Sequence, residues 1–143
     1  MIEKIIKSIF GDPSDKKVKE ITKLVDKINE FEKKQENYNL DSVKNKTSEF
    51  KNMFKWLDFT KQEDSEKIKN ILEDIKLEAF ALVKTACKII NNKEFNLPDG
   101  KKIIWSMIPY DVQLVWGLAI HAWNISEMKT WEWKTLVATL PAY

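Results

Sequence analysis

The amino-acid sequence predicts a mostly α-helical fold, with a helical arm over residues 1–102 followed by a shorter, apolar segment over residues 103–143. Two observations lead to this prediction. Apolar residues recur every three or four positions through the first 90 residues, which is the period of an amphipathic helix. The 143 residues suit about one domain, and the 43% that are hydrophobic can bury a core. Only 3 glycines and 4 prolines interrupt the chain.

Four helices are expected in the arm. The first covers residues 1–10, which carry one apolar stripe, and the turn-forming residues Gly11–Ser14 end it. The second begins at Asp15 and runs to about Glu36. The third runs roughly from Leu40 to Leu57, and the fourth runs from about Asp64 to Ile90. Each keeps its apolar residues on one face, so we expect the first 90 residues to form an all-helical arm.

The helical period stops at residues 91–102, where Pro98-Asp99-Gly100 indicates a turn within a loop. Beyond the loop, the sequence predicts a buried helix over Asp111–Ala122, a short strand over Asn124–Lys129 and a helix over Lys134–Tyr143. Helix, strand, tight loop and helix in this order can form a phosphate-binding loop.

Composition and charge exclude several classes of protein. The 24 basic residues are all lysine and face 22 acidic ones, so the net charge of +2 predicts no nucleic-acid partner. The longest uncharged stretch, residues 112–126, is shorter than the roughly 20 apolar residues of a membrane-spanning helix. Cys87 is the only cysteine, and the first residues lack a signal-peptide pattern, so we expect a cytoplasmic protein. Cys87 and the lone His121 are expected to be structural.

Residues 128–135, Met-Lys-Thr-Trp-Glu-Trp-Lys-Thr, end in a Lys-Thr pair at an expected helix start. In a P-loop, such a lysine reaches the β and γ phosphates, the threonine holds Mg²⁺, and backbone N–H groups wrap the phosphates. That wrap needs glycine, which accepts positive φ and lets a phosphate approach the backbone. This sequence has Trp131 and Trp133 there. By itself, the Lys-Thr pair favours a solvated turn, because such pairs are common.

Seven segments, taken in order along almost the whole chain, resemble the SecA family of bacterial preprotein translocase motors. The most specific part of the resemblance is residues 111–143, where the family pattern reads Asp-Val-Gln-Leu-x-Gly-Gly, His-x-Gly, then Thr-Gly-Glu-Gly-Lys-Thr-Leu-Val-Ala-Thr-Leu-Pro-Ala-Tyr. The resemblance implies that residues 103–143 open a RecA-like α/β P-loop nucleotide-binding domain. The matching segments are Lys4–Gly11, Lys23–Asn29, Val43–Lys51, Glu78–Val83, Pro109–Leu114, Ile125–Thr130 and Lys134–Tyr143.

The sequence departs from the family pattern chiefly by having tryptophan at glycine positions. Independent mutation would have to choose the bulkiest side chain repeatedly. A single cause suffices if UGA codons that mean glycine in the source organism were read as tryptophan. Glycine at the five positions would bring the glycine content to about 6%, near the roughly 7% of average proteins. The five positions are Trp56, Trp116, Trp123, Trp131 and Trp133, whereas Trp105 matches one branch of the family as it stands.

The resemblance implies ATP and Mg²⁺ as ligands. Gln113 would read the adenine edge, flanked by Met107 and Tyr110. Without the resemblance, Met107 and Tyr110 are core residues and Gln113 is a polar residue at a helix start. No catalytic residue is expected within the chain, so we do not expect it to hydrolyse ATP as it stands. The implied phosphate-binding residues are Thr130, Trp131, Glu132, Trp133, Lys134 and Thr135, the last holding Mg²⁺ through ATP.

The function implied is the N-terminal part of an ATPase that drives preproteins through the SecYEG channel. Its implied partners are SecYEG, unfolded preproteins and an anionic membrane surface contacted by residues 1–10, and a homodimer is compatible with the resemblance. The implied location is the cytoplasm, with peripheral attachment to the inner face of the cell membrane. The alternative is a non-catalytic helical interaction or adaptor module, in which the tryptophans are genuine and no nucleotide site exists.

Overall fold

The structure, a computed structural model, describes residues 15–130 and 132–143, with side chains from residue 20 onward. Three helices form the described part of the arm: α1 (Asp15–Lys34), α2 (Leu40–Met53) and α3 (Gln62–Ile90). These helices confirm three of the four expected in the arm. The helix expected over residues 1–10 lies outside the described residues.

One hydrophobic core joins the arm to the last third of the chain. The long helix α3 contacts α1 and α2, and it also contacts α5 (Lys134–Ala142). Helix α4 (Asp111–His121) packs on α1 and α5. The apolar spacing explains this arrangement, since each helix directs one stripe inward. The buried cluster consists of Val25, Ile28, Phe80, Ala81, Leu114, Val115, Leu118 and Leu140.

Helix α2 has well-defined ends. Asn39 is its N-cap: the Asn39 side-chain oxygen accepts from the Ser42 N–H at 2.8 Å, and the Ser42 hydroxyl accepts from the Asn39 N–H at 3.4 Å. The helix ends at Met53, before the expected end at Leu57. Past Met53, the backbone tightens into bonds between residues three apart, including Leu57 N–H to the Phe54 carbonyl at 3.0 Å.

Residues 91–102 are not only a loop, as the sequence predicted. Strands β1 (Glu94–Asn96) and β2 (Lys102–Ile104) form an antiparallel hairpin in which Phe95 faces Ile103. The predicted turn connects them, and Gly100 takes a φ of +81° there. Three-residue strands give too short a pattern to recognise. The boundary between the arm and the last third, placed at residue 102, stays a prediction, and β2 runs across it.

The strand expected over Asn124–Lys129 is wrong, because the structure has no regular element there. A strand needs a neighbour for its backbone groups, and the two described strands pair only with each other. Ile125 is almost fully exposed as a result. The predicted helices over residues 111–122 and 134–143 are confirmed by α4 and α5, so the described chain is mostly helical with one two-stranded sheet.

Helices α4 and α5 approach closely at Gly117. A Cβ atom there would lie 2.8 Å from Leu140 Cδ1 and 3.0 Å from Phe80 Cε1, so only glycine fits without a shift. Among residues 15–130 and 132–143, no helix combines the length and apolar character that crossing a membrane requires.

Candidate functional site

Gln113 links the start of α4 to the loop before α5. Its side chain is buried, with 2% exposed. The Gln113 Oε1 accepts from the Tyr110 N–H at 2.9 Å, which satisfies a free donor at the helix start. Its Nε2 donates to the Glu132 carbonyl at 3.0 Å. The segment expected to read adenine and the loop expected to bind phosphate are therefore directly hydrogen-bonded.

Trp133 occupies the position immediately before α5 and has a left-handed backbone, with φ 53° and ψ 51°. A residue at a helix N-cap normally has extended backbone, and positive φ is strongly unfavourable for a bulky side chain. Glycine adopts this conformation without penalty. The Trp133 indole stacks on the Tyr110 ring with 6.2 Å between ring centroids. The indole thus contacts the ring that the family resemblance assigns to the nucleotide base.

Lys134 and Thr135 form the exposed first turn of α5. The first N–H groups of a helix lack partners within the helix, and its dipole favours an anion at that end. Within the described residues, the side chains of Lys134, Thr135 and Thr130 make no hydrogen bond. These donors and the left-handed turn fit a phosphate group, whereas the indole of Trp133 does not.

Two further residues were predicted to belong to the site, Met107 and Trp131. Met107 is half-buried, and its carbonyl accepts a bond from the Trp105 Nε1 at 2.7 Å. Trp131 lies outside the described residues. Sequence reasoning missed the Glu132 carbonyl, since a backbone acceptor leaves no signal in residue type. It also missed Lys84, whose Nζ lies 3.6 Å from Asp111 Oδ1 at the start of α4.

Trp123 also has a left-handed backbone, with φ 58°. It follows the C-cap of α4, where its N–H bonds the Ile120 carbonyl and the Asn124 N–H bonds the Ala119 carbonyl, both at 2.9 Å. This bond pair is a Schellman motif, and the left-handed residue in it is usually glycine. The Trp123 side chain is 97% exposed, so packing does not offset the strain.

The other tryptophans differ in how well their surroundings suit an indole side chain. Trp116 is buried, and its indole N–H has no partner among the described residues. Trp105, the one tryptophan expected to be genuine, has its indole N–H satisfied. Trp56 is exposed and outside the left-handed region, and the Lys55 Nζ lies 5.5 Å from its ring centroid, so nothing in the structure explains a glycine there. Three of the five suspect positions are thus poor sites for tryptophan.

The two other candidate chemical groups are structural. Cys87 is buried, and burial raises the pKa of its thiol to about 11, which makes it unreactive near neutral pH. Burial, helped by the nearby Lys76 charge, lowers the pKa of His121 against the opposing attraction of Glu73. Within the described residues, no three His, Cys, Asp or Glu side chains converge as metal ligands.

Comparisons with known proteins agree on one family. The family model described as the SecA DEAD-like domain matches residues 6–143. The chain is 39% identical to the protein translocase subunit SecA of Crocosphaera subtropica, over 97% of this chain and 13% of that protein. Identity to the SecA of Microcystis aeruginosa is 40%, over 97% of this chain and 13% of that protein.

A third relative is the SecA of Prosthecochloris aestuarii, which is 33% identical over 98% of this chain and 17% of that protein. The chain therefore spans 13% to 17% of the length of these three relatives. No solved structure matches the chain.

Proposed function

The chain belongs to the SecA family of protein translocase subunits, and from that premise we propose that it forms the N-terminal part of an ATP-driven preprotein translocation motor. Its last third would open a RecA-like P-loop domain and hold part of the ATP site. The observation that carries the proposal is the bond from Gln113 Nε2 to the Glu132 carbonyl. It brings the expected adenine-binding segment beside the loop that leads into Lys134 and Thr135.

Each group in this site has a distinct role in the proposal. Gln113 orients the base, and Tyr110 supplies an aromatic face against it. Lys134 contributes the positive charge that holds the phosphates, and the Thr135 hydroxyl is the protein ligand of Mg²⁺. Bound ATP supplies the phosphoanhydride bond that powers translocation. The chain holds no group assigned to its cleavage, so hydrolysis would require further parts of the motor.

We also propose that the natural residue is glycine at the five suspect tryptophan positions. The left-handed backbone at Trp123 and Trp133 and the unsatisfied indole of Trp116 support this. The codons and the peptide masses of protein purified from the source organism test it. UGA codons with glycine masses at 123 and 133, and tryptophan at 105, are expected. UGG codons at 131 and 133 would contradict the proposal.

ATP binding tests the nucleotide site. The test uses a chimera, a full-length SecA relative in which this chain replaces the matching segment. Four variants of the chimera carry either tryptophan or glycine at residue 131 and at residue 133. We expect the double-glycine form to bind ATP with Mg²⁺ and the double-tryptophan form not to bind it, because an indole fills the space the phosphates need. Each tryptophan alone should weaken binding more than about tenfold, or about 1.4 kcal/mol.

Lys134→Ala in the double-glycine form should abolish most of the binding measured by calorimetry, since it removes the phosphate-facing ammonium. Lys67→Met is the matched control, because Lys67 pairs with Asp64 on the exposed face of α3. Equal affinity in the tryptophan and glycine forms would refute the phosphate-binding role. It would favour the non-catalytic adaptor module instead.

We propose three partners: SecYEG, unfolded preproteins and an anionic membrane. The proposed location is peripheral, on the cytoplasmic face of the cell membrane. Measuring the mass of the protein in solution tests whether it forms a homodimer. Residues 1–10 would contact the membrane through their apolar stripe. A peptide of these residues should gain helicity on anionic vesicles and lose that gain with Ile5→Asp. Unchanged circular dichroism on adding vesicles would count against membrane contact.

A further inference from the structure

We propose that Lys84 is a positioning residue for the nucleotide site, because it fixes the first turn of α4, and with that turn the side chain of Gln113, against the arm helices. The inference rests on the proposed function, in which Gln113 meets the base. It adds a link between the arm and that site. Lys84 would act through Asp111 and Gln113 without touching the nucleotide.

Lys84 lies at the centre of a polar cluster formed by three helices. Its side chain is 11% exposed. From α1, the Asn29 Oδ1 accepts from Lys84 Nζ at 2.8 Å, and the Glu32 Oε2 lies 2.9 Å from the same nitrogen. From α4, the Asp111 Oδ1 lies 3.6 Å away and also accepts from the Asn29 Nδ2 at 3.2 Å. One ammonium thus contacts oxygen atoms of both neighbouring helices.

Two charges of this cluster are poorly hydrated, since the side chains of Lys84 and Glu32 are 11% and 13% exposed, and the pair therefore resists rearrangement. Burying an ammonium is costly unless it is paired and hydrogen-bonded, and removing one partner leaves a buried charge without compensation. Burial disfavours ionised Glu32, but hydrogen bonds from Lys88 and Lys84 outweigh this effect and lower its pKa. Glu32 therefore stays a carboxylate near neutral pH and holds Lys84 in place.

The cluster connects directly to the candidate site. Asp111 is the first residue of α4, and Gln113 stands two residues later. The N–H groups of Gln113 and Leu114 bond the Tyr110 carbonyl at 2.9 and 3.0 Å. A shift of the first turn of α4 would therefore move the side chain of Gln113. The arm would set the orientation of the group that reads the base.

Nucleotide selectivity tests this role in the full-length chimera with glycine at the five suspect positions. Lys84→Met removes the ammonium but keeps most of the apolar length of the side chain, and Lys67→Met is the control on the same helix. Calorimetry with ATP and with GTP should show that Lys84→Met weakens ATP binding about tenfold and leaves GTP binding unchanged. Lys84→Arg should restore the preference for ATP, and Lys67→Met should leave it intact.

A double-mutant cycle identifies the route of the effect. In a Gln113→Ala background, Lys84→Met should have no further effect on ATP binding, because the positioned group is already absent. Equal weakening of ATP and GTP, or an additive loss in the Gln113→Ala background, would overturn the proposal. If Lys84→Met fails to fold, Asp111→Asn replaces it. This variant should also lower the preference for ATP over GTP. An unchanged preference would overturn the proposal.

Amide exchange separates this inference from the proposed function. If the glycine form binds neither nucleotide, the proposed function fails, but the positioning role can still be measured. Exchange at Gln113 and Leu114 should then accelerate about tenfold in Lys84→Met and stay unchanged in Lys67→Met. Unchanged exchange in both variants would overturn the positioning role.

Discussion

The ends of α3 and α4 have the same kind of backbone but carry very different residues. After α3, Asn92 has a φ of 61°, and after α4, Trp123 has a φ of 58°. Asparagine tolerates the left-handed region because its short polar side chain can hydrogen-bond to the nearby backbone, whereas an indole gains nothing there. At the first site the residue suits the backbone, and at the second it does not. The backbone at residue 123 therefore suits glycine or asparagine, and it does not suit tryptophan.

The largest expected change in stability comes from placing a tryptophan at the left-handed position after α3, where asparagine now stands. Asn92→Trp should lower the free energy of unfolding by about 1–3 kcal/mol, because a bulky residue would be forced into left-handed backbone. Chemical denaturation measures the change. Asn92→Gly is the control, and its free energy of unfolding should stay within about 0.5 kcal/mol of the parent. A neutral Asn92→Trp would remove the basis of the comparison.

Removing the mismatch at the other helix end should have the opposite sign. Trp123→Gly should raise the free energy of unfolding by about 1–2 kcal/mol, the usual cost of left-handed backbone for an L-residue. Trp105→Gly is the contrasting variant, because Trp105 donates a hydrogen bond and is half-buried. It should destabilise the chain in the same denaturation experiment. A loss of stability on Trp123→Gly would show that the tryptophan suits its site.

The smallest expected effect is on how the free energy of unfolding depends on pH, and it differs between the ends of α3 and α4. The last turn of α3 carries Lys88, whereas the last turn of α4 carries His121, whose pKa burial lowers. The unfolded chain therefore binds a proton at higher pH than the folded one, and stability should fall as pH drops through about 6.5. His121→Gln should flatten this part of the profile of unfolding free energy against pH. An identical slope in both proteins would assign the pH dependence to other groups.

The helices were predictable because their information is local. The spacing around Val25 and Ile28 predicts α1, and both residues are buried in the core. The hairpin was not predictable, since Glu94–Asn96 is too short to display a period and its stability depends on pairing with β2. The strand expected after α4 failed for a related reason, because no described strand lies beside it to accept its hydrogen bonds.

The candidate site divides in the same way. The Lys-Thr pair and Gln113 were visible as residue types, and the helix starts that carry them were found where expected. The polar cluster was not visible, because Asn29, Lys84 and Asp111 are far apart in sequence and meet only after α1, α3 and α4 pack. Left-handed backbone at two tryptophans was likewise a property of the folded chain alone.

The hairpin has a consequence for how this segment can diverge. Asn92 N–H bonds the Trp105 carbonyl at 2.7 Å, and Trp105 N–H bonds the Lys93 carbonyl at 3.0 Å, so the two ends of the hairpin are fastened together. Lengthening a fastened loop adds little closure entropy, since the penalty grows only with the logarithm of its length. The tip at Pro98–Gly100 is therefore where insertions could accumulate during evolution while α3 and α4 keep their positions.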